Sequence, residues 1–195
     1  MKRDLEILPL TPERLPDLGA LFNEGGDPKW CWCAFFRVRG ITFQNASARR
    51  NRAVLERAVD QLNDRAPGLV AYRQGAAIGW VSLGPREDYE RLTHSRVLAP
   101  IDDRPAWSIV CFVVGRKFRG EGVAASLLEA AIRYASDHGA TLLEGYPVET
   151  DGARISSANA YKGTLGMFER AGFNVVGRRR ANRSSPDRPI VRRQI

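Results

Sequence analysis

The side chains with reactive potential are few. They are the thiols Cys31, Cys33 and Cys111, the imidazoles His94 and His138, and one stretch, "RKFRGEGVAASLL", that sets basic residues against glycines. Cys31-Trp32-Cys33 is a C-x-C pair without paired histidines, short of the usual zinc set, so no metal is expected. Two scattered histidines do not make a nucleophilic triad. The basic glycine stretch carries more. It lies where the apolar run Trp107–Val114 gives way to an amphipathic pattern that ends near Gly139. The start of a helix has backbone N–H groups without partners and a partial positive charge. Gly120, Gly122 and Ala124 permit close approach of a ligand to that backbone, and Arg119 adds a fixed charge. The chemistry indicated is the binding of an anion, a phosphate first of all.

Three phosphate motifs compete for this stretch. A nucleotide P-loop needs G-x-x-x-x-G-K-[ST]. Gly115 and Gly120 have the glycine spacing, but Glu121 replaces the lysine and Gly122 the hydroxyl. The dinucleotide fingerprint G-x-G-x-x-G/A is met by Gly120, Gly122 and Ala125, and Glu144 ends an apolar run about 20 residues on. Against it, Gly115–Arg119 separate the strand from the first glycine, where the dinucleotide turn is tight. The third is the acyl-CoA motif R/Q-x-x-G-x-G/A, filled by Arg119, Gly122 and Ala124 in "RGEGVA".

With that motif the chain resembles the GNAT superfamily of acyl-CoA N-acyltransferases. "KFRGEGVAASLL" is similar to the family's "xYRGxGIGxxLL", and "FERAGF" (Phe168–Phe173) to its "YEKxGF". The resemblance implies a single α/β domain over residues 1–195. Its sheet would be mixed, mostly antiparallel and twisted, of about six to seven strands, splayed at the two central parallel strands and flanked by helices. It implies acetyl-CoA as cosubstrate and an amine acceptor. Phe112, Val113 and Val114 would offer backbone to pantetheine. Arg119, Gly120, Gly122, Val123, Ala124 and Ala125 would cradle pyrophosphate.

The implied reaction is direct attack of an amine on the thioester, which needs a base for the ammonium proton. Trp107–Val114 holds no acid, so Glu144 is the candidate base, with Asp102 and Asp103 behind it. The family's thiolate-side tyrosine falls at Phe168, which has no proton to give. Tyr161, seven residues earlier and two turns along the same expected helix, is the substitute. Trp30, Trp32, Phe35 and Phe36 are candidates for an acceptor wall. The alternative is a non-catalytic acyl-CoA-binding or RNA-associated module.

These residues need a frame to hold them. "LEILPL" reads as a first strand, and Thr11-Pro12 as a cap and first turn of a helix. Lys29–Gly40 reads as a partly buried aromatic loop, and Ala48 to about Asn63 as a helix with a basic outer face. Gly68–Gly84 reads as a hairpin turning at Gln74-Gly75. Trp107–Val114 is a buried central strand, Gly122–His138 the key helix, Thr141–Glu149 a strand, Ala158–Phe173 a helix with its stop, and two short strands follow.

Lys and Arg total 30 against 22 Asp and Glu, a net charge of +8. That excess suits an acidic ligand and leaves RNA as a lesser alternative. Three cysteines are too few for a disulfide framework, which favours a reducing cytoplasm. No apolar run approaches the roughly 20 residues of a membrane span, so no membrane partner is expected. A homodimer stays open.

Overall fold

The computed structural model describes residues 5–61, 64–95, 97–150, 161–180 and 187–195. Its frame is one seven-stranded sheet, in the order β1-β2-β3-β4-β5-β7-β6. The strands are β1 (Glu6–Pro9), β2 (Gly68–Arg73), β3 (Ala76–Pro85), β4 (Trp107–Val114), β5 (Leu142–Gly145), β6 (Asn174–Arg179) and β7 (Arg188–Gln194). All neighbours are antiparallel except β4 and β5. The expected mixed, mostly antiparallel sheet with one parallel pair is therefore present.

The β2–β3 hairpin turns where it should. Gln74 and Gly75 both have positive φ, at 50° and 77°, as a two-residue type I′ turn requires. The helix α1 (Leu15–Asn23) follows a 3-10 turn at Pro12–Arg14, and Thr11 makes no side-chain cap bond to that turn. Asn51, Leu55 and Val59 form the buried stripe of α5 (Ala48–Gln61), and α6 (Glu90–His94) lies in the connection from β3 to β4. Alanines and leucines of α7 (Val123–Asp137) pack on the opposite face of the sheet. Two apolar layers thus sandwich the strands.

Two expectations are corrected. Lys29–Gly40 is not a loop: it is built from α2 (Pro28–Cys31) and α3 (Ala34–Arg37), and α4 (Gly40–Gln44) follows. Trp32 and Cys33, with φ of 47° and 53°, break the first two apart. Such left-handed geometry is uncommon outside glycine, and it hides the helices from a pattern reading. Nor does a single helix run from Ala158. Residues 158–160 lie outside the described residues, Gly163 has φ 76°, and α8 spans only Leu165–Arg170. Thr164 caps α8, its side chain accepting from Met167 N–H.

β4 and β5 share only three pairs, Trp107 with Leu143, Ser108 with Glu144 and Ile109 with Gly145. Beyond Ile109 the strands part. The register of β4 against β3 also jumps, from Ile109 opposite Leu83 to Cys111 opposite Ser82, so Val110 is an extra, bulged residue. The consequence shows in the packing: Ile109 faces the α7 layer, whereas Val110 and Cys111 both face the other one, before alternation resumes at Phe112. The bulge turns Cys111 toward α2 and α3.

Candidate active site

The parted strands open into a cleft of about 840 Å³. One end is the junction of β4 and α7. Gly120 and Gly122 both have φ of 81°, and a Cβ built on either meets nothing within 4 Å. Gly122 is the N-cap of α7 and supplies no side-chain cap. The first helical bond runs from Ser126 N–H to the Gly122 carbonyl, so the amides of Val123, Ala124 and Ala125 precede it. These amides open on the cleft, with Arg116, Arg119 and Arg170 beside them. The geometry is that of an anion cradle. Of the residues expected there, Arg119, Gly120, Gly122, Val123, Ala124 and Ala125 all line it, as do Phe112, Val113 and Val114 along the splayed strand. The Phe112 N–H is engaged, however: it donates to the Tyr161 carbonyl at 2.6 Å.

The other end is aromatic and sulfurous. Trp30, Phe35, Phe36, Phe43 and Tyr161 line it, with Cys31, Cys33 and Cys111. Edge-to-face pairs lock the rings, among them Trp30 on Phe43 at 4.7 Å and Phe35 on Phe43 at 5.3 Å. The Arg91 guanidinium stacks over Phe35 at 3.8 Å, and its Nε donates to the Phe35 carbonyl. Of the residues that sequence reading named for an acceptor wall, Trp30, Phe35 and Phe36 line this end; it did not name Phe43, nor Arg91 behind Phe35, since nothing in their spacing marks them.

The three cysteines, scattered in sequence, meet here. Cys33 and Cys111 bring their sulfurs to 3.2 Å, and the Trp80 indole donates to Cys33 at 3.2 Å. Burial and the neighbouring Cys33 push the Cys31 thiol up to about 12. The bond to Cys33 and burial raise Cys111 as well. Cys31 and Cys111 are therefore protonated thiols, and all three side chains pack as small apolar groups. No cluster of three His, Cys, Asp or Glu that could hold a metal occurs among the described residues.

Trp32 does not belong to the cleft wall. It is 4% exposed, packs edge-on against Phe22 at 5.3 Å, and donates its indole N–H to the Lys29 carbonyl. Its left-handed backbone turns the side chain inward under α1, making it core.

Glu144 is also displaced from its expected role. It is 1% exposed and is not among the cleft residues. Its Oε1 accepts from Arg86 and from the Tyr146 hydroxyl, and its Oε2 accepts from Arg192 Nε at 2.8 Å. Both oxygens accept from protein donors, and the side chain is closed off from solvent among the described residues. A glutamate on an inner strand reads alike from sequence whether it faces a cleft or a buried arginine pair. Asp102, the weaker candidate, pairs with Arg192 and Arg104 on the far side of that network. Asp27 is the carboxylate that lines the cleft among the described residues.

Tyr161 does reach the cleft, though from a turn before α8 and not from a helical face. It packs on Phe35 and Phe36. Burial, with the nearby thiols, raises its phenol to about 12 against the opposing effect of Arg188 and Arg91. It therefore keeps its proton at neutral pH.

Comparison with known proteins agrees with this geometry. The fold matches an acetyltransferase of the GNAT family from Streptococcus pneumoniae at a TM-score of 0.57 and 16% identity, over 98% of this chain and 99% of that one. It matches a PaiA N-acetyltransferase from Thermoplasma acidophilum, solved in complex with coenzyme A, at 0.56 and 14%, over 98% and 99%. A ribosomal-protein-alanine N-acetyltransferase from Brucella melitensis matches at 0.56 and 19%, over 97% and 99%. At these identities the likeness is one of fold. A search of curated protein sequences gives no significant match. The sequence profile of the acetyltransferase (GNAT) family, by contrast, matches residues 29–173, a span that holds the aromatic wall, the bulged strand and the glycine cradle. With most of its length matched, the chain belongs to the acetyltransferase (GNAT) family.

Proposed function

We propose that the protein is an acetyl-CoA-dependent N-acetyltransferase whose acceptor is a primary amine entering from the aromatic end of the cleft. One observation carries this reading: the uncapped α7 amides and the open glycines stand at one end of a cleft whose other end is walled by aromatic side chains. A phosphate-bearing thioester and an apolar amine each have a matching surface, and the splay of β4 from β5 joins them. Arg119, Gly120, Gly122 and the amides of Val123 to Ala125 would hold the pyrophosphate. The backbone of Phe112 to Val114 would face the pantetheine arm, where the Tyr161 carbonyl competes for the Phe112 amide.

When bound, the cosubstrate supplies an activated acyl group and a thiolate leaving group. The chain's own part is positioning and proton handling. Tyr161 keeps a phenolic proton at neutral pH and faces the cleft, which suits it to protonate a departing thiolate. The acceptor must shed a proton to attack, and Asp27, the carboxylate that lines the cleft among the described residues, is the candidate for that role. The wall of Trp30, Phe35 and Phe43 would exclude water from the acceptor end.

Titration calorimetry with acetyl-CoA tests the reading. The wild type should bind, and Gly122→Asp should lose binding. The substitution puts a negative charge into the cradle and forces an unfavourable left-handed conformation costing about 1–2 kcal/mol. A folded Gly122→Asp protein with undiminished affinity would overturn it. Release of free thiol across a panel of amines then tests turnover.

A further inference from the structure

The loop between β4 and α7 carries an acid where an anion is to be bound. Glu121 stands between Gly120 and Gly122, and a carboxylate at that place opposes a phosphate. The structure turns it away. Gly120 and Gly122 line the cleft, but Glu121 does not. Its Oε2 accepts from Arg73 Nη1 at 2.7 Å. Neither side chain makes another salt bridge among the described residues. Arg73 is the last residue of β2, 48 residues away in sequence. Its guanidinium also lies over the Phe118 ring, 5.2 Å from the centroid, and Phe118 lines the cleft. Arg73 therefore touches the loop on both sides of Arg119 and Gly120. Between these two holds, Arg119 Nε donates to the Val114 carbonyl at 3.2 Å. The β2–β3 hairpin supports the site at a further point. A Cβ added to Gly79 of β3 would lie 2.8 Å from Val123 Cγ1 and 3.0 Å from Leu127 Cδ1, so the first turn of α7 rests directly on the hairpin.

We propose that Arg73 is a positioning residue for the anion cradle. It holds the Glu121 carboxylate outside the cleft and neutralises it, and it braces Phe118, so that the pyrophosphate of an acyl-CoA meets Arg119 and the α7 amides without an opposing charge. This deepens the acyltransfer reading above and rests on it for the identity of the ligand. What Arg73 supplies is charge more than rigidity. The pair is part-exposed, at 16% for Arg73 and 36% for Glu121, and pairs of that kind add little to the stability of a fold. They weigh more on an anion seated beside them, because the phosphates add their own charge to the balance. Without Arg73, the carboxylate keeps its charge next to both glycines and is free to rotate toward the bound phosphates.

Calorimetry on the full chain tests this with two probes, acetyl-CoA and inorganic pyrophosphate, so the acceptor need not be known. Arg73→Gln should weaken both by roughly tenfold, the scale of one unopposed unit charge at close range in a part-exposed setting. Its thermal melt should stay within about 2 °C of wild type, as the loss of a part-exposed pair allows. Arg73→Lys keeps the charge but not the planar stack on Phe118, and should stay within about threefold. In a Glu121→Gln background, Arg73→Gln should change affinity by less than about twofold, because the charge it uncovers is gone. The tenfold loss should also shrink as salt rises from about 0.05 to 0.5 M. A brace that acts by shape alone gives the opposite: the loss persists in the Glu121→Gln background and ignores salt. That result overturns the proposal, as does undiminished affinity in a folded Arg73→Gln protein. The two probes separate the proposal from the reading beneath it. Pyrophosphate bound with the coupling intact, but acetyl-CoA not bound, sinks the acyl-CoA reading and leaves the role of Arg73 standing. Acetyl-CoA bound, with Arg73 and Glu121 acting additively, does the reverse. If neither probe binds the wild type, the cradle is not an anion site and both fall.

Discussion

Replacing Glu144 by glutamine should weaken the fold and spare the chemistry. The side chain sits in a buried network of alternating charge: Arg86, Glu144, Arg192 and Asp102, with the Tyr146 hydroxyl bonded to Glu144 and to Ser108. Glutamine keeps the shape but turns one acceptor into a donor. Three protein donors would then face one carbonyl oxygen and an amide N–H₂. Arg192 would still have Asp102. Arg86 would have no acid, and its Nε already lacks a partner. Its Nη2 holds the Leu92 and Leu98 carbonyls, so disturbance would reach the connection from β3 to β4.

Removing one partner of a buried pair is worth about 3–5 kcal/mol. Because Asp102 still compensates one of the two arginines, the lower figure, about 3 kcal/mol, is expected. For a chain of this size that is a fall in Tm of roughly 6–12 °C, at about 2–4 °C per kcal/mol. The measurement is a thermal melt at pH 7, repeated at low and high salt. A buried network should show little salt dependence, unlike a surface pair. Arg86→Met in the Glu144→Gln background should recover part of the loss, since it removes the stranded charge. Turnover measured at 25 °C, where both proteins are folded, should agree within about threefold. A melt within about 2 °C of wild type, together with a drop in turnover of about 10²-fold or more, would refute the argument and return Glu144 to the role of base.

Two further predictions rest on the aromatic end. Trp32→Ala should cost about 3–5 kcal/mol of stability, read by denaturant unfolding, because the indole is core. Trp30→Ala, at a ring 40% exposed and edge-on to Phe43, should cost under about 1 kcal/mol and should raise the acceptor KM instead. Cys31 should resist alkylation by iodoacetamide at pH 8. With its thiol pushed up to about 12, the thiolate fraction and hence the rate should still be climbing at about pH 10, followed by peptide mass spectrometry. A rate that levels off below about pH 9 would contradict the burial assigned to it.

The contrast between what was legible and what was not has a physical logic. Trp107–Val114 and the helix after it could be read because period and composition are local properties: a continuous apolar run, then glycines, then an amphipathic stripe. The glycine turn and the uncapped start of α7 were legible for the same reason, since all of their parts lie within seven consecutive residues, Arg119–Ala125. The aromatic end was not. Trp30 and Trp32 are two residues apart in similar surroundings, yet one lines the cleft and the other is core. The difference is made by the left-handed backbone at Trp32 and Cys33, which no periodicity announces.

Glu144 is buried away from the cleft for a related reason. Its fate is decided by Arg86 and Arg192, 58 and 48 residues away. A carboxylate on a strand beside the family's reaction strand is a fair candidate until its partners are known. Cys111 gives the sharpest case. Its face of the sheet depends on a one-residue bulge at Val110, and by alternation alone it would point into the α7 layer. With the bulge, Val110 and Cys111 share one face of the sheet, and the Cys111 thiol meets Cys33. Because Ile109 already stands opposite Leu83 and Cys111 opposite Ser82, deleting Val110 should keep the facing of every other β4 side chain and remove only the local bend. Acetyl-CoA affinity, read by calorimetry, should fall if that bend helps hold the cleft open, and an unchanged affinity in a folded variant would show that it does not.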